Sequence, residues 1–137
     1  MKLKFIFIFL FAFLSLSSLT AFAQDQDVDE DKRMDESIEQ VLENLERTLS
    51  LESWQIFYLD SIMRHDYTEM REELKLLQSS KATNTDLYYQ IQDKWMEQMY
   101  NSFQVVLNEP QWNKYLKAGA AREKKARDKR AAKRQKK

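Results

Sequence analysis

Apolar residues recur every three or four positions along most of this chain, the spacing that places side chains on one face of an α-helix. The first stripe predicts a helix of about four turns over residues 35–49. The second predicts a helix over residues 52–78, which would be about 40 Å long. The members of the two stripes are Ile38, Val41, Leu42, Leu45 and Leu49, then Ile56, Leu59, Met63, Tyr67, Met70, Leu74 and Leu77.

A polar segment, residues 79–85, separates these stripes from the rest of the pattern and is rich in residues that cap helices. A third helix is predicted from Thr85 and a fourth from Asn108. Their apolar positions are Tyr88, Ile91, Trp95, Met99, Phe103 and Val106, then Trp112, Tyr115 and Leu116. After Gly119 the sequence is rich in lysine, arginine and alanine. Residues 120–137 are therefore predicted to be a basic tail, either a frayed helix or disordered.

The scarcity of turn residues gives the fold class. The chain contains one glycine and one proline, far below average usages of about 7% and 5%. Because sheets need many turns built from these residues, we predict an all-α protein of about four helices. Its helical domain would span residues 35–119.

The N-terminal segment has the pattern of a cleavable secretory signal peptide. Lys2 and Lys4 precede an apolar run over residues 5–16, and Ala21 and Ala23 supply the small residues that signal peptidase requires. A membrane anchor is the alternative, but the run of about 12 residues is shorter than the roughly 20 that a spanning helix needs. We therefore predict a signal peptide over residues 1–23, cleavage after Ala23 and a periplasmic location.

Cleavage there would remove 23 of the 137 residues and leave 114, enough for one domain. Residues 24–34 are acidic and nearly lack large apolar side chains, so they are predicted to be a disordered leader. The sequence has no cysteine, so no disulfide can stabilise an exported form. Stability must come from packing, helped by self-association.

The net charge of zero conceals a strong asymmetry. Residues 24–111 carry 20 acidic and 8 basic side chains, a balance of −12, whereas residues 112–137 carry 12 basic and 2 acidic ones, a balance of +10. The tail could contact an anionic surface, such as acidic clients, lipopolysaccharide or the acidic body of a second subunit. A purely solubilising role is the alternative.

Two similar segments open the second and fourth helices. In each, a leucine is followed four residues later by a glutamine: Leu51 with Gln55, and Leu107 with Gln111. In the second copy, Asn108 is a good N-cap and Gln111 is placed to complete a capping box. The first copy has Glu52, a weaker cap, so Ser50 and Ser53 are alternatives there.

With this repeat, residues 38–122 resemble the LTxxQ-motif (Spy/CpxP) family of periplasmic chaperones and stress adaptors. That family carries two Leu-Thr-x-x-Gln motifs at a similar separation. Both copies here lack the threonine, so the match rests on Leu51, Gln55, Leu107 and Gln111. The resemblance implies a long antiparallel helical hairpin with short flanking helices, and a homodimer shaped as a cradle. It also implies an amphiphilic concave face that holds partly unfolded proteins without ATP.

Large apolar side chains are numerous for a domain of this size, and some should remain exposed or at a dimer interface. Met96 lies off its stripe and is the methionine expected to face outward. Trp54, Phe57, Tyr58 and Ile62 run beside the second stripe and widen its apolar surface. The candidate residues for binding a client or partner are Leu51, Trp54, Met63, Met70, Trp95, Met96, Met99 and Phe103, although core packing is the alternative for most of them.

Other chemistries have little support in the sequence. His65 is the sole histidine, and without cysteine it does not make a transition-metal site. Acidic pairs such as Glu72 and Glu73 are expected on an exposed helix face, away from any pocket that could separate their pKa values. The basic tail has no interleaved aromatic residues to stack on bases. We therefore predict no enzyme activity, no cofactor, no metal and no nucleic-acid partner.

The leading functional hypothesis is an ATP-independent periplasmic chaperone or envelope-stress adaptor. Arg64 and Arg71 would steer encounters with clients, and apolar residues would supply the contact. The alternative is a regulatory or structural module that binds one folded partner, such as the periplasmic domain of a sensor kinase.

Overall fold

The computed structural model describes residues 23–136, with side chains from Val28 onward. The predicted signal peptide lies outside this range apart from Ala23, so it stays a prediction. The described residues contain no strand, and their helices are α1 (Ala23–Leu49), α2 (Ser53–Ser79), α3 (Thr85–Val106), α4 (Glu109–Tyr115) and α5 (Ala121–Gln135). A π-helical turn, Leu116–Ala120, joins α4 to α5. The prediction of an all-α fold of about four helices is confirmed, with α4 and α5 counted as one interrupted helix.

The two central helices form the predicted antiparallel hairpin. Side chains that meet across α2 and α3 run in opposite order along the chain: Gln98 donates to Asp66 over 2.8 Å, and Lys94 pairs with Glu73. The loop between these helices is residues 80–84. Its Asn84 caps α3, because the Asn84 Oδ1 accepts the N–H of Asp86 at 3.0 Å.

The helices that flank the hairpin are longer than predicted. Residues 24–34, predicted to be a disordered leader, belong to α1. This segment is held by charge, since its carboxylates pair with cations on α2: Asp31 with Arg71, and Glu30 with Lys75 at 3.7 Å. Composition predicted disorder because this stretch lacks large apolar residues. The cations that order it lie about 40 residues away.

The basic tail is also ordered. Residues 121–135 form α5, which runs antiparallel to α3 and pairs with its carboxylates instead of extending into solvent. Arg127 donates a hydrogen bond of 3.1 Å to Glu97, and Arg130 donates two hydrogen bonds, of 2.9 and 2.6 Å, to Asp93. The surplus of positive charge in the tail is therefore partly neutralised within the same chain.

Gly119 redirects the chain between α4 and α5. Its φ of 140° lies in a region that only glycine adopts without steric cost. The π-helical turn around it lets α5 fold back along α3. The only glycine in the sequence therefore sits at the position that docks the tail.

The core lies at the end of the hairpin where the two Leu-x-x-x-Gln segments meet. Both motif leucines belong to one buried cluster, whose members are Ile38, Leu42, Leu49, Leu51, Leu59, Met63, Met99, Phe103 and Leu107. Side chains from α4, Trp112 and Tyr115, pack against this cluster. In the described part of the chain, no helix combines the length and apolar character needed to span a bilayer.

The ion pairs of α5 can be tested with Asp93→Asn. This substitution keeps the shape of the side chain but removes the charge that Arg130 and Arg134 share. Hydrogen bonds to charged groups contribute about 1.5–3 kcal/mol each. We therefore expect the free energy needed to open α5 to fall by a similar amount. Hydrogen exchange should then accelerate in residues 121–135 and stay unchanged in the middle of α2.

The matched control is Asp128→Asn, which removes an exposed carboxylate that pairs with Lys124 within the same helix. A pair of this kind contributes only about 0.3–0.5 kcal/mol. Equal effects of the two substitutions on exchange would contradict the docking of α5 through Asp93.

Candidate functional site

The two motif glutamines meet in the core and hydrogen-bond to each other. Gln55 Nε2 donates to Gln111 Oε1 over 2.7 Å, and Gln111 Nε2 donates to Gln55 Oε1 over 3.0 Å. Each Oε1 also accepts a backbone N–H at the start of its own helix, from Glu52 and Asn108 respectively, at 3.0 Å. Each remaining N–H donates to a backbone carbonyl before the other helix, that of Val106 at 3.1 Å or Ser50 at 3.5 Å.

These bonds use every donor and acceptor of both amides. A glutamine amide has two N–H donors and two acceptor positions on its oxygen, and all are occupied although Gln55 is 2% and Gln111 7% exposed. The pair therefore carries no unpaired polar atom into the core. Its role is to join the starts of α2 and α4.

The capping predictions are confirmed for the second copy and corrected for the first. Asn108 Oδ1 accepts the N–H of Gln111 at 3.0 Å, which closes the expected capping box, and Pro110 lies in the first turn. In the first copy, Glu52 is the N-cap, not Ser50 or Ser53. Ser50 instead has a positive φ of 53° and ends α1, where Leu51 N–H bonds to the Glu46 carbonyl at 3.4 Å.

Most of the candidate binding residues are buried. Five of them lie in the interior and cannot contact a client in this conformation: Leu51, Met63, Trp95, Met99 and Phe103. Met70 and Met96 are half-buried. Met96 does not face outward as predicted, because α5 packs beside it and the two helices enclose a small cavity there. Among the predicted residues, Trp54 alone is well exposed.

Three aromatic residues on α2, Trp54, Phe57 and Tyr58, form an exposed cluster that we call the aromatic face. Their exposed fractions are 50%, 70% and 52%. They lie on the side of α2 away from Gln55 and Leu59, which point into the core. The sequence pattern showed Phe57 and Tyr58 beside the second stripe, but the candidate set left them out.

The aromatic face has a fixed internal geometry. Tyr58 packs edge-to-face against Trp54 and Phe57, with ring centroids 6.2 and 5.7 Å apart. The Trp54 indole N–H donates to Glu52 Oε2 over 2.7 Å, which holds the ring at the start of the helix. Edge-to-face pairs contribute about 0.5–1.5 kcal/mol beyond area burial, so the three rings present one ordered apolar surface.

The surroundings of the aromatic face are polar. Ser61 and His65 continue along the same side of α2 and are exposed. His65 Nδ1 lies 2.9 Å from Asp66 Oδ1, and this hydrogen bond raises the pKa of His65. Asp66 is buried and also accepts from Gln98. An apolar patch with a polar margin has the composition of a protein-binding surface.

Arg64 and Arg71, predicted to steer clients, are occupied within the fold. Arg64 pairs with Asp60 at 2.9 Å and with Asp35 on α1, and Arg71 pairs with Asp31. They hold α1 against α2. Their charge is balanced locally and contributes little to long-range attraction.

The cavity under α5 is too small to be a ligand site. It measures about 20 Å³, room for about one water molecule, and its lining includes Met96, Tyr100, Tyr115 and Arg127. Among the described residues, no cluster of three or more histidine, aspartate or glutamate side chains is arranged to hold a metal ion. The aromatic face is therefore the candidate functional site.

Comparison of the chain with protein-family models, with curated proteins and with solved structures yields no match. The resemblance to the LTxxQ-motif family thus rests on the two Leu-x-x-x-Gln segments and their placement.

The glutamine pair can be tested by a double-mutant cycle with Gln55→Met and Gln111→Met. Each single substitution leaves the other amide buried with unpaired groups, which costs about 1–3 kcal/mol. The double variant should be more stable than the sum of the single losses predicts, by about 1 kcal/mol or more, because neither glutamine side-chain amide is then buried without its partner. Urea unfolding measures all the free energies.

Gln104→Met is the control, since Gln104 is an exposed position on α3. Its effect should stay within about 0.5 kcal/mol. Strictly additive losses at Gln55 and Gln111 would show that the two amides are not coupled.

Proposed function

We propose that this protein is an exported, ATP-independent chaperone or stress adaptor that binds partly unfolded proteins through its aromatic face. The observation that carries the proposal is the exposure of Trp54, Phe57 and Tyr58 beside one another on a polar surface. Unfolded chains expose apolar side chains that would pack against such a face. Burying one large apolar side chain contributes about 1.5–3 kcal/mol. Three adjacent rings can therefore bind an unfolded chain weakly and reversibly.

The structure of α2 explains how the rings stay available. The inward side of α2 is already filled by Gln55, Leu59 and Met63. The aromatic face therefore cannot turn inward without removing these residues from the core. Exposure of the rings is a consequence of the fold, and a partner can reach them without local unfolding. The family resemblance also implies a homodimer, and in this proposal that dimer leaves the aromatic face open to clients.

A second candidate, a regulatory module for one folded partner, is favoured by the rigidity of the same face. Promiscuous surfaces often use flexible methionines, but Met63 and Met99 are buried here. Trp54 is held by Glu52, and the rings pack edge-to-face in a defined arrangement. Tryptophan and tyrosine are the residues that often carry most of the binding energy at a specific protein interface.

The proposed function predicts that Phe57→Ser weakens client binding and Leu76→Ser does not. Phe57 and Leu76 lie on the same helix and are equally exposed, at 70% and 69%, but Leu76 is remote from the aromatic face. A denatured client is diluted into the exported protein at several-fold molar excess, and light scattering follows its aggregation. The protein should suppress aggregation. Phe57→Ser should raise the apparent Kd about tenfold or more.

Two results would contradict the chaperone proposal. One is client aggregation that the unchanged protein does not slow. The other is an equal loss in Phe57→Ser and Leu76→Ser, which would indicate nonspecific adhesion. Affinity capture from the exported protein fraction separates the candidates: several substoichiometric proteins favour the chaperone, and one stoichiometric protein favours the module.

A further inference from the structure

The cations of α5 divide between two faces of the helix. Lys124, Arg127, Arg130 and Arg134 point toward α3 and pair with its carboxylates. A second set faces away from α3 and is exposed; we call it the outer stripe, and its members are Arg122, Lys125, Lys129 and Lys133 of α5 together with Lys136, the C-cap of the helix. Docking against α3 thus turns a mixed basic sequence into a helix with one fully exposed cationic side.

The outer stripe is straight and of a single sign. Its members follow one another at intervals of three, four, four and three residues, so they occupy a sector about 80° wide and about 21 Å long. Arg122 contacts Glu123 at 3.5 Å. Within residues 28–136, no carboxylate lies within 4.0 Å of the four lysines in the stripe, whose side chains therefore remain unpaired.

The chemistry of the stripe defines its partner. The positions beside it are alanines such as Ala126 and Ala132, so nothing there inserts into an apolar phase or stacks on a base. The cations project from a convex helix and do not line a groove, so a flat anionic surface can meet all five together. A single extended polyanion would have no groove in which to lie.

We propose that the outer stripe binds the surface of a bilayer that contains anionic phospholipid, with the lipid phosphates as partners of the lysines. Each lysine or arginine near such a surface contributes about 1 kcal/mol of attraction. Five cations together therefore give reversible association. Because the contact is electrostatic and exposed, salt should weaken it. The inference involves α5 alone and does not depend on binding of clients by the aromatic face.

The test uses the exported protein and vesicles of phosphatidylcholine with and without phosphatidylglycerol. The variant Lys125→Gln/Lys129→Gln/Lys133→Gln removes the middle of the stripe and keeps helix propensity, since lysine and glutamine are similar in this respect. Cosedimentation should show binding to the anionic vesicles, with an affinity loss on the order of 100-fold in the variant. Binding should disappear in about 1 M salt, where the Debye length is about 3 Å.

The matched control is Lys81→Gln/Lys114→Gln/Lys117→Gln, which makes the same change in net charge at three exposed lysines outside the stripe. Its affinity for anionic vesicles should fall less than about threefold, because these lysines do not share one face. Equal losses in the two variants, or no preference for anionic over neutral vesicles, would overturn the proposal. Stripe-dependent binding of soluble polyphosphate without vesicle binding would also overturn it. Circular dichroism of both variants checks that the helices are intact.

Discussion

The side-chain amides of Gln55 and Gln111 close a ring of hydrogen bonds that joins the two halves of the molecule at the starts of α2 and α4. Each amide accepts a backbone N–H at the start of its own helix and donates to a backbone carbonyl shortly before the start of the other helix. Neither helix start can therefore move alone. Inside an apolar cluster a misplaced amide leaves an unpaired group, which costs about 1–3 kcal/mol. The ring of hydrogen bonds therefore stabilises the contact between α2 and α4 and also fixes how the starts of these two helices align.

The same pair gives the fold an internal repeat. In each half a helix ends, a buried leucine follows, and a second helix starts with a capping residue three positions before the glutamine. Leu51 and Leu107 each directly precede the capping residue of their half, and both belong to the buried cluster. Outside this common element the halves differ. The first continues into the uninterrupted α2, and the second is redirected at Gly119 so that α5 can follow α3.

Local pattern was enough to predict α2, α3 and α4 and to place their starts within a residue, because a three-four stripe and a capping residue act within one helix. It was not enough for contacts between distant residues. Gln55 and Gln111 were recognised as repeated cap residues, but their pairing depends on a fold that brings positions 56 apart together. Likewise Asp93 and Arg130 lie 37 positions apart, so the order of the tail was missed. Phe57 and Tyr58 were left out of the site because an off-stripe aromatic residue can equally cover a neighbouring helix.

The first part of α1 and the whole of α5 show how segments with few large apolar residues are held against the hairpin by ion pairs. Alanine is the only apolar residue type in α5, so burial contributes little and carboxylates on α3 supply the attraction. Exposed ion pairs contribute about 0–1 kcal/mol each, and the partly buried pairs at Asp93 contribute more. Segments held in this way still belong to the less stable part of a protein. The amide ring and its leucines belong to the more stable part. Both surfaces assigned a binding role therefore depend on the same stable hairpin. The aromatic face lies directly on α2, and the outer stripe lies on a helix that ion pairs hold against α3.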